Sequence, residues 1–277
     1  MRINVNDSTV PAFLYGTAWK ETVTEQCVNS ALESGFRGID SANQRKFYDE
    51  QSVGSALANC YNTKVVSRED LFLQSKFTHA RDQDGHLPYE ENAELGLQMK
   101  QSFESSLQNL NTDYLDSYLL HNLSEDRELS ESDVESWKAM EVLFKQGRIK
   151  FLGVCNVGIA KLQELHRIAS VKPSFVQNKC YARQGWDRDV RMFCTKNNMR
   201  YQSFSLLSAN TDIFKQGRFQ EIVKRYECTE AQLVFRFALQ SGMMPITGTR
   251  STIHMKEDLD TYDLRLTSHD MHLIEFI

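Results

Sequence analysis

Most of what would tie a chain to a membrane, a metal or a nucleic acid is missing from this sequence. No run of eighteen apolar residues occurs, so no membrane span is expected. The opening MRINVNDSTVPAF lacks the charged-then-apolar layout of a secretory signal, and a cytoplasmic location is the expectation. Six cysteines (Cys27, Cys60, Cys155, Cys180, Cys194 and Cys228) are scattered without a C-x-x-C pair. That argues against a disulfide framework or a metal site and for reduced thiols. Neither H-E-x-x-H nor G-x-S-x-G is present, which removes the commonest metalloprotease and hydrolase signatures. The 13 glycines include no G-x-G-x-x-G, so nothing marks a doubly wound dinucleotide fold. A net charge of −5 with no clustered basic face gives no reason to expect a nucleic-acid partner. Only four prolines and no low-complexity linker leave a single domain over residues 1–277 as the expectation.

What is present is a repeated alternation. Eight short apolar segments recur at residues 12–17, 38–42, 71–77, 115–121, 151–156, 175–180, 200–205 and 244–248. Several are continuous rather than alternating, as strands covered on both faces should be. Helical stripes separate them. Thr22 with Glu25 suggests a capping box for the first helix, which Gly35 should end. Leu95, Met99, Phe103 and Leu107 mark a later helix, and Thr229 should cap the helix through Leu233 and Phe237. Eight strand–helix repeats at this length predict a (β/α)8 TIM barrel, with an open doubly wound sheet as the alternative.

In a barrel, chemistry belongs at the carboxyl ends of the strands. Those ends carry Gly16-Thr17-Ala18-Trp19, Asp40, Lys76, His121-Asn122, Cys155-Asn156, Gln177, Phe204-Ser205 and Thr247-Gly248-Thr249-Arg250. Tyr48 lies on the loop after Asp40. Each of these has an ordinary reading: Asp40 can cap a turn, Lys76 can be solvated, and Tyr48 and His121 can simply pack. Four complementary types at one rim favour a site. A phenol is a weak acid near neutral pH, and an adjacent ammonium should lower its pKa. A carboxylate keeps that ammonium charged, and an imidazole can hold a carbonyl oxygen or relay the proton. Proton donation coupled to hydride delivery fits this set better than hydrolysis.

These residues lie in a chain that resembles the aldo-keto reductases along nearly its whole length. The likeness rests on GFRGIDSA, YDE, REDLFLQSKF, LDSYLLHN, GRIKFLGVCN, PSFVQNKCY and MKEDLDTYDLRLTSHDM, in that order. It implies an eight-stranded barrel that binds NADPH, with NADH possible, and reduces a small-molecule aldehyde or ketone. It implies a catalytic set of Asp40, Tyr48, Lys76 and His121, with Tyr48 as general acid. Asn156 and Gln177 match residues that hold the carboxamide, Phe204 the aromatic stacked on the nicotinamide, and Ser205 and Leu207 the pyrophosphate wall. Gly248, Thr249, Arg250, His254 and Asp258 match the adenosine-phosphate grip, and Gly16, Thr17 and Asp40 complete the candidate cofactor set. No metal is implied, and a monomer or weak homo-oligomer is expected.

Three departures qualify the likeness. The turn before Tyr48 is three residues longer than usual, which puts Arg45 at the ungapped position. Gly248 stands where the family usually has lysine and His254 where it has arginine, so Arg250, His254 or Lys256 must serve the 2′-phosphate. Cys155 stands where serine is common, a weaker hydrogen-bond donor. Short loops after His121 and Ser205 predict an open, shallow substrate side, with Trp19, Asn122, Tyr181 and Trp186 as candidate lining residues. Two other readings on the same fold are a non-redox acid–base enzyme and a cofactor-binding accessory or sensor subunit.

Overall fold

The computed structural model describes residues 1–126 and 128–277. The chain opens with an antiparallel hairpin, β1 (Arg2–Val5) and β2 (Ser8–Pro11), in which Ile3 faces Val10. Eight strands then follow: β3 (Leu14–Gly16), β4 (Gly38–Asp40), β5 (Phe72–Phe77), β6 (Leu115–Leu120), β7 (Ile149–Cys155), β8 (Phe175–Lys179), β9 (Arg200–Phe204) and β10 (Met244–Thr247). They pair in parallel and close into a barrel of order β10-β3-β4-β5-β6-β7-β8-β9. Seven of the eight apolar segments foreseen from sequence contain a whole strand, and β7 starts two residues ahead of the segment at 151–156, so the (β/α)8 expectation holds.

The outer layer comprises α1 (Thr24–Ser34), α2 (Glu50–Asn62), α3 (Leu95–Asn109), α4 (Glu131–Lys145) and α5 (Ile159–Ile168). It continues with α6 (Arg188–Lys196), α7 (Gly217–Arg225), α8 (Glu230–Gln240), α9 (Thr252–Asp260) and α10 (Ser268–Glu275). The foreseen ends of α1 and start of α8 are present. Gly35 closes α1 in the left-handed region at φ 112°, and Thr229 with Gln232 forms a reciprocal capping box on α8. The foreseen box at Thr22 is absent. Glu21 takes φ 52°, residues 21–23 form a tight 3-10 turn, and Thr24 spends its hydroxyl on the Glu21 carbonyl at 2.7 Å. α1 therefore begins at Thr24 without a side-chain cap. No helix among the described residues is long and apolar enough to cross a membrane.

Strand alternation divides each segment between two jobs. On β5, Leu73 and Phe77 join the large core beneath the helices, while Phe72 packs edge-on against Phe175 inside the barrel at 5.5 Å. Phe72, Phe151, Phe175, Met244 and Leu14 form a separate apolar layer with Val5 and Val10 of the hairpin. The hairpin thus seals the amino-terminal end of the barrel. Above that layer the interior turns polar, with Gln74, Lys76, Gln177 and Gln202 all buried.

One carboxyl sits between barrel and helices. Glu50, at the start of α2, accepts a hydrogen bond from Ser75 of β5, and its Oε2 has no partner. Burial raises its pKa to about 7, against the pull of the Ser75 hydrogen bond. The folded protein therefore holds a proton that the unfolded chain has released between pH 4.5 and about 7. Stability from this group is fullest below pH 4.5 and is lost as pH rises through about 7. Glu50→Gln should remove that loss, worth roughly 3 kcal/mol at most. Melting curves should then show a smaller decline from pH 5 to pH 8 in the variant than in the parent; an unchanged decline would contradict the assignment.

Candidate active site

β4 and β5 lie side by side with Asp40 opposite Gln74, which sets Asp40 against the next inward residue, Lys76. Lys76 is fully buried. Its three ammonium hydrogens have three acceptors: Asp40 Oδ1 at 2.8 Å, Asp40 Oδ2 at 2.9 Å and the Ser41 carbonyl at 2.8 Å. Burial is the largest single influence and opposes the charge on Lys76, but Asp40, Tyr48 and Cys155 together outweigh it and raise the pKa.

Tyr48 reaches this pair by way of the long turn. Residues 43–47 turn outward, leaving Arg45 and Lys46 exposed. The turn is pinned from several sides: Tyr48 N–H and Phe47 N–H donate to the Gln44 carbonyl, the Gln44 amide to the Asp82 carbonyl, and the Gln83 amide to the Asn43 carbonyl. The Tyr48 ring then stands 5.0 Å from Lys76 Nζ, and its centroid lies 6.0 Å from that of His121, edge-on. Asp40, Tyr48, Lys76 and His121 are thus gathered at one rim, and the extra residues do not displace Tyr48. The expected lowering of the phenol pKa is not found. Burial pushes it up to about 12; the Lys76 ammonium pulls the other way and Asp40 adds to the rise. His121 is held neutral, its pKa lowered to about 3 by burial and then by the Lys76 charge. Its Nδ1 lies 2.8 Å from the Thr78 hydroxyl.

A cavity of about 890 Å³ opens above these groups, a size suited to a substantial ligand. Gly16, Trp19, Asp40, Tyr48, His121, Asn122, Asn156, Gln177 and Phe204 line it, continuing through Ser205, Leu207, Gly248, Thr249, Arg250, His254 and Asp258. Asn156, at φ 53°, donates its amide to the His121 carbonyl at 3.1 Å and to Asn122 Oδ1 at 2.8 Å. Gln177 donates to Asp40 Oδ1 at 3.0 Å, and its own carbonyl receives only the Cys155 thiol, at 3.8 Å. The Asp258 carboxyl, raised to about 6 by burial, accepts from Thr247 at 2.7 Å.

Besides Lys76, which lies beneath Tyr48, three expected residues do not line this cavity. Thr17 is fully buried and donates its hydroxyl to the Asp40 carbonyl at 3.0 Å, tying the ends of β3 and β4 together. Trp186 is fully buried in the core, against Phe237 at 5.0 Å, with its indole N–H on the Ile274 carbonyl at 2.9 Å. Its apolar surface is spent on α8 and α10, so it lines no substrate pocket. Tyr181 lies outside the lining, beneath Lys179 and Arg183.

The sequence reading also missed residues. Phe47 lines the mouth and stacks on Trp19 at 4.2 Å; as an inserted residue it had no counterpart to suggest it. Lys20, next to Trp19 at the end of β3, is almost fully buried, and its ammonium donates to the Gly248 carbonyl. A methyl group on Gly248 would come within 3.2 Å of that ammonium, so glycine is what leaves it room. Arg250 donates to the Trp19 carbonyl. Neither cation has a carboxylate partner among the described residues. Position directly after a strand end was the available signal for Lys20.

Comparison with known proteins agrees with this geometry. A sequence model of the Aldo/keto reductase family matches residues 14–277. An uncharacterized oxidoreductase, YtbE, from Bacillus subtilis is 31% identical over 272 residues, covering 98% of this chain and 90% of that protein. A glyoxal reductase of the same organism is 29% identical, with 98% and 90% covered. An aldo-keto reductase solved in complex with NADPH superposes with a TM-score of 0.84 at 22% identity, covering 100% of this chain and 87% of its own. Barrel closure, the clustering at one rim and a family match over nearly the whole length converge: the chain belongs to the aldo/keto reductase family.

Proposed function

We propose that the protein is an NADPH-dependent reductase that converts a small aldehyde or ketone to an alcohol, with Tyr48 as the proton donor. The observation that carries this reading is the Lys76 ammonium, clamped by Asp40 and Ser41 directly beneath the Tyr48 ring. Relatives named for glyoxal reduction, and methylglyoxal reductases at 29% identity, make short dicarbonyls the first substrates to try.

The cavity walls suit a nicotinamide cofactor. Two cations without carboxylate partners, Lys20 and Arg250, stand at one end, and a half-buried aromatic, Phe204, and the amides of Asn156 and Gln177 line the rest. Bound there, NADPH would supply a hydride. Lys20 and Arg250, which now donate to backbone carbonyls, would hold its phosphate oxygens by a stronger charge-assisted contact. Gln177 and Asn156 would offer their side-chain carbonyls to the carboxamide, since the amide hydrogens of both are already donated.

Around the substrate, each group has one task. The Thr78 hydroxyl donates to His121 Nδ1, which leaves Nε2–H to hold the carbonyl oxygen. A neutral imidazole suits that task, since it orients the oxygen without competing as the acid. Tyr48 gives its proton to the same oxygen as negative charge develops there. Lys76 stabilises the phenolate left behind, and Asp40 keeps Lys76 charged and aimed. A phenol held at about 12 in the free protein stays protonated through the physiological range, as an acid must.

Tyr48→Phe should lower kcat for methylglyoxal with NADPH by about a thousandfold while the cofactor Kd, read by tryptophan quenching, changes less than about twofold. Arg45→Ala, on the exposed outward turn, should leave both near parental values; the reverse pattern would sink the assignment of Tyr48. Lys20→Ala and Arg250→Ala should each weaken NADPH binding by about tenfold or more, the loss of a charge-assisted contact. If neither changes the Kd for NADPH or NADH, the phosphate end has been misplaced.

A further inference from the structure

Just below the reacting groups the barrel carries polar side chains that the proton transfer above does not itself require. Gln74 on β5, Gln177 on β8 and Gln202 on β9 are all buried, in a layer that barrels usually fill with branched apolar residues. Their amides close into one network. Gln202 Oε1 accepts from Gln74 Nε2 at 2.9 Å and from Gln177 Nε2 at 2.9 Å, and Gln202 Nε2 donates back to Gln74 Oε1 at 3.0 Å. The remaining hydrogens of Gln74 and Gln177 converge on a single atom, Asp40 Oδ1, at 2.6 and 3.0 Å. With Lys76 at 2.8 Å, that oxygen accepts from three donors.

Such a network has little reason to exist for stability alone. A satisfied buried amide adds little over an apolar side chain of the same shape, while a broken one is costly. What this network does is hold two groups that face the cavity, the Asp40 carboxylate and the Gln177 amide. It also spreads the Asp40 charge over two amide dipoles. Without them the carboxylate would set more of its negative field against Tyr48 and cancel more of the Lys76 charge.

We propose that Gln74 and Gln202 are positioning residues for the reduction. Gln74 fixes and partly neutralises Asp40, so that the Asp40–Lys76 pair presents a net positive field to Tyr48. Gln202 bridges the other two glutamines and fixes the Gln177 amide toward the cofactor side of the cavity. The inference rests on Tyr48 acting as the acid.

The test uses methionine, which keeps the length of glutamine and removes its hydrogen bonds. Gln74→Met should lower kcat by about tenfold with the NADPH Kd within about twofold, a loss typical of slight misplacement of reacting groups. Alcohol oxidation needs the Tyr48 phenolate, so the limb on which that reverse rate rises with pH should move upward, because the phenol loses field from the pair. Gln202→Met should instead weaken NADPH by several-fold. The double variant Gln74→Met/Gln202→Met leaves one amide short of a partner where Gln202→Met leaves two, so its melting temperature should rise above that of Gln202→Met toward the parent while kcat stays low. That double variant is the one to assay if a single variant does not fold. Parental kcat, Kd and pH limb in these variants would overturn the proposal, as would a double variant that regains rate together with stability. If Tyr48→Phe remains active, the reading of the site fails first; if Tyr48→Phe is dead and the glutamine variants are normal, only this inference fails.

Discussion

A carboxylate and an ammonium buried together inside a closed sheet are the constraint to which the rest of the structure answers. Removing two charges from water costs several kcal/mol each, and their attraction repays this only when every remaining hydrogen-bonding position is filled. Asp40 and Lys76 meet that condition. The ammonium has three acceptors, and the carboxylate has Lys76 on both oxygens and two glutamine amides on one of them. Such filling requires β4, β5, β8 and β9 in fixed register, so strand closure and site geometry are one condition. The pKa pattern follows from the same enclosure. A dry, cationic setting holds His121 neutral, while dryness outweighs the ammonium at Tyr48 and keeps the phenol protonated.

The barrel strands were legible in the sequence because both of their faces are covered. A strand with helices on one side and barrel interior on the other carries apolar residues on both faces, as Leu71-Phe72-Leu73 and Leu119-Leu120 show. The rim residues were legible for a related reason: charged or polar residues ending such runs have few structural uses. What was illegible depended on where a side chain points. Trp186 and Tyr181 follow a strand end just as Trp19 does, yet Trp186 packs into the core against Phe237 while Trp19 stays exposed. The hairpin at residues 2–11 is too short and polar to announce itself, and its role appears only when Val5 and Val10 meet the barrel floor. Gln74 and Gln202 carried no sequence signal, because they lie 128 residues apart and meet only in the closed barrel.

The turn at residues 43–47 shows how an insertion can spare a site. Its added length is absorbed in exposed Arg45 and Lys46, while buried Asn43 and Gln44 anchor its start to the loop around Asp82 and Gln83 and the Gln44 carbonyl holds its far end through the Phe47 and Tyr48 N–H groups. Tyr48 therefore leaves the turn from a fixed point, and α2 begins immediately afterwards under its Asp49 cap. The same insertion sets Phe47 against Trp19, so the lengthened loop also rebuilds the rim above Tyr48.

The hairpin floor has a consequence for traffic. Apolar side chains from five barrel strands, backed by Val5 and Val10, stop the well from below. Trp19 and Phe47 line the cavity above Asp40, opposite that floor. In a well stopped from below, the molecule that settles deepest would go in before its companion and come out after it.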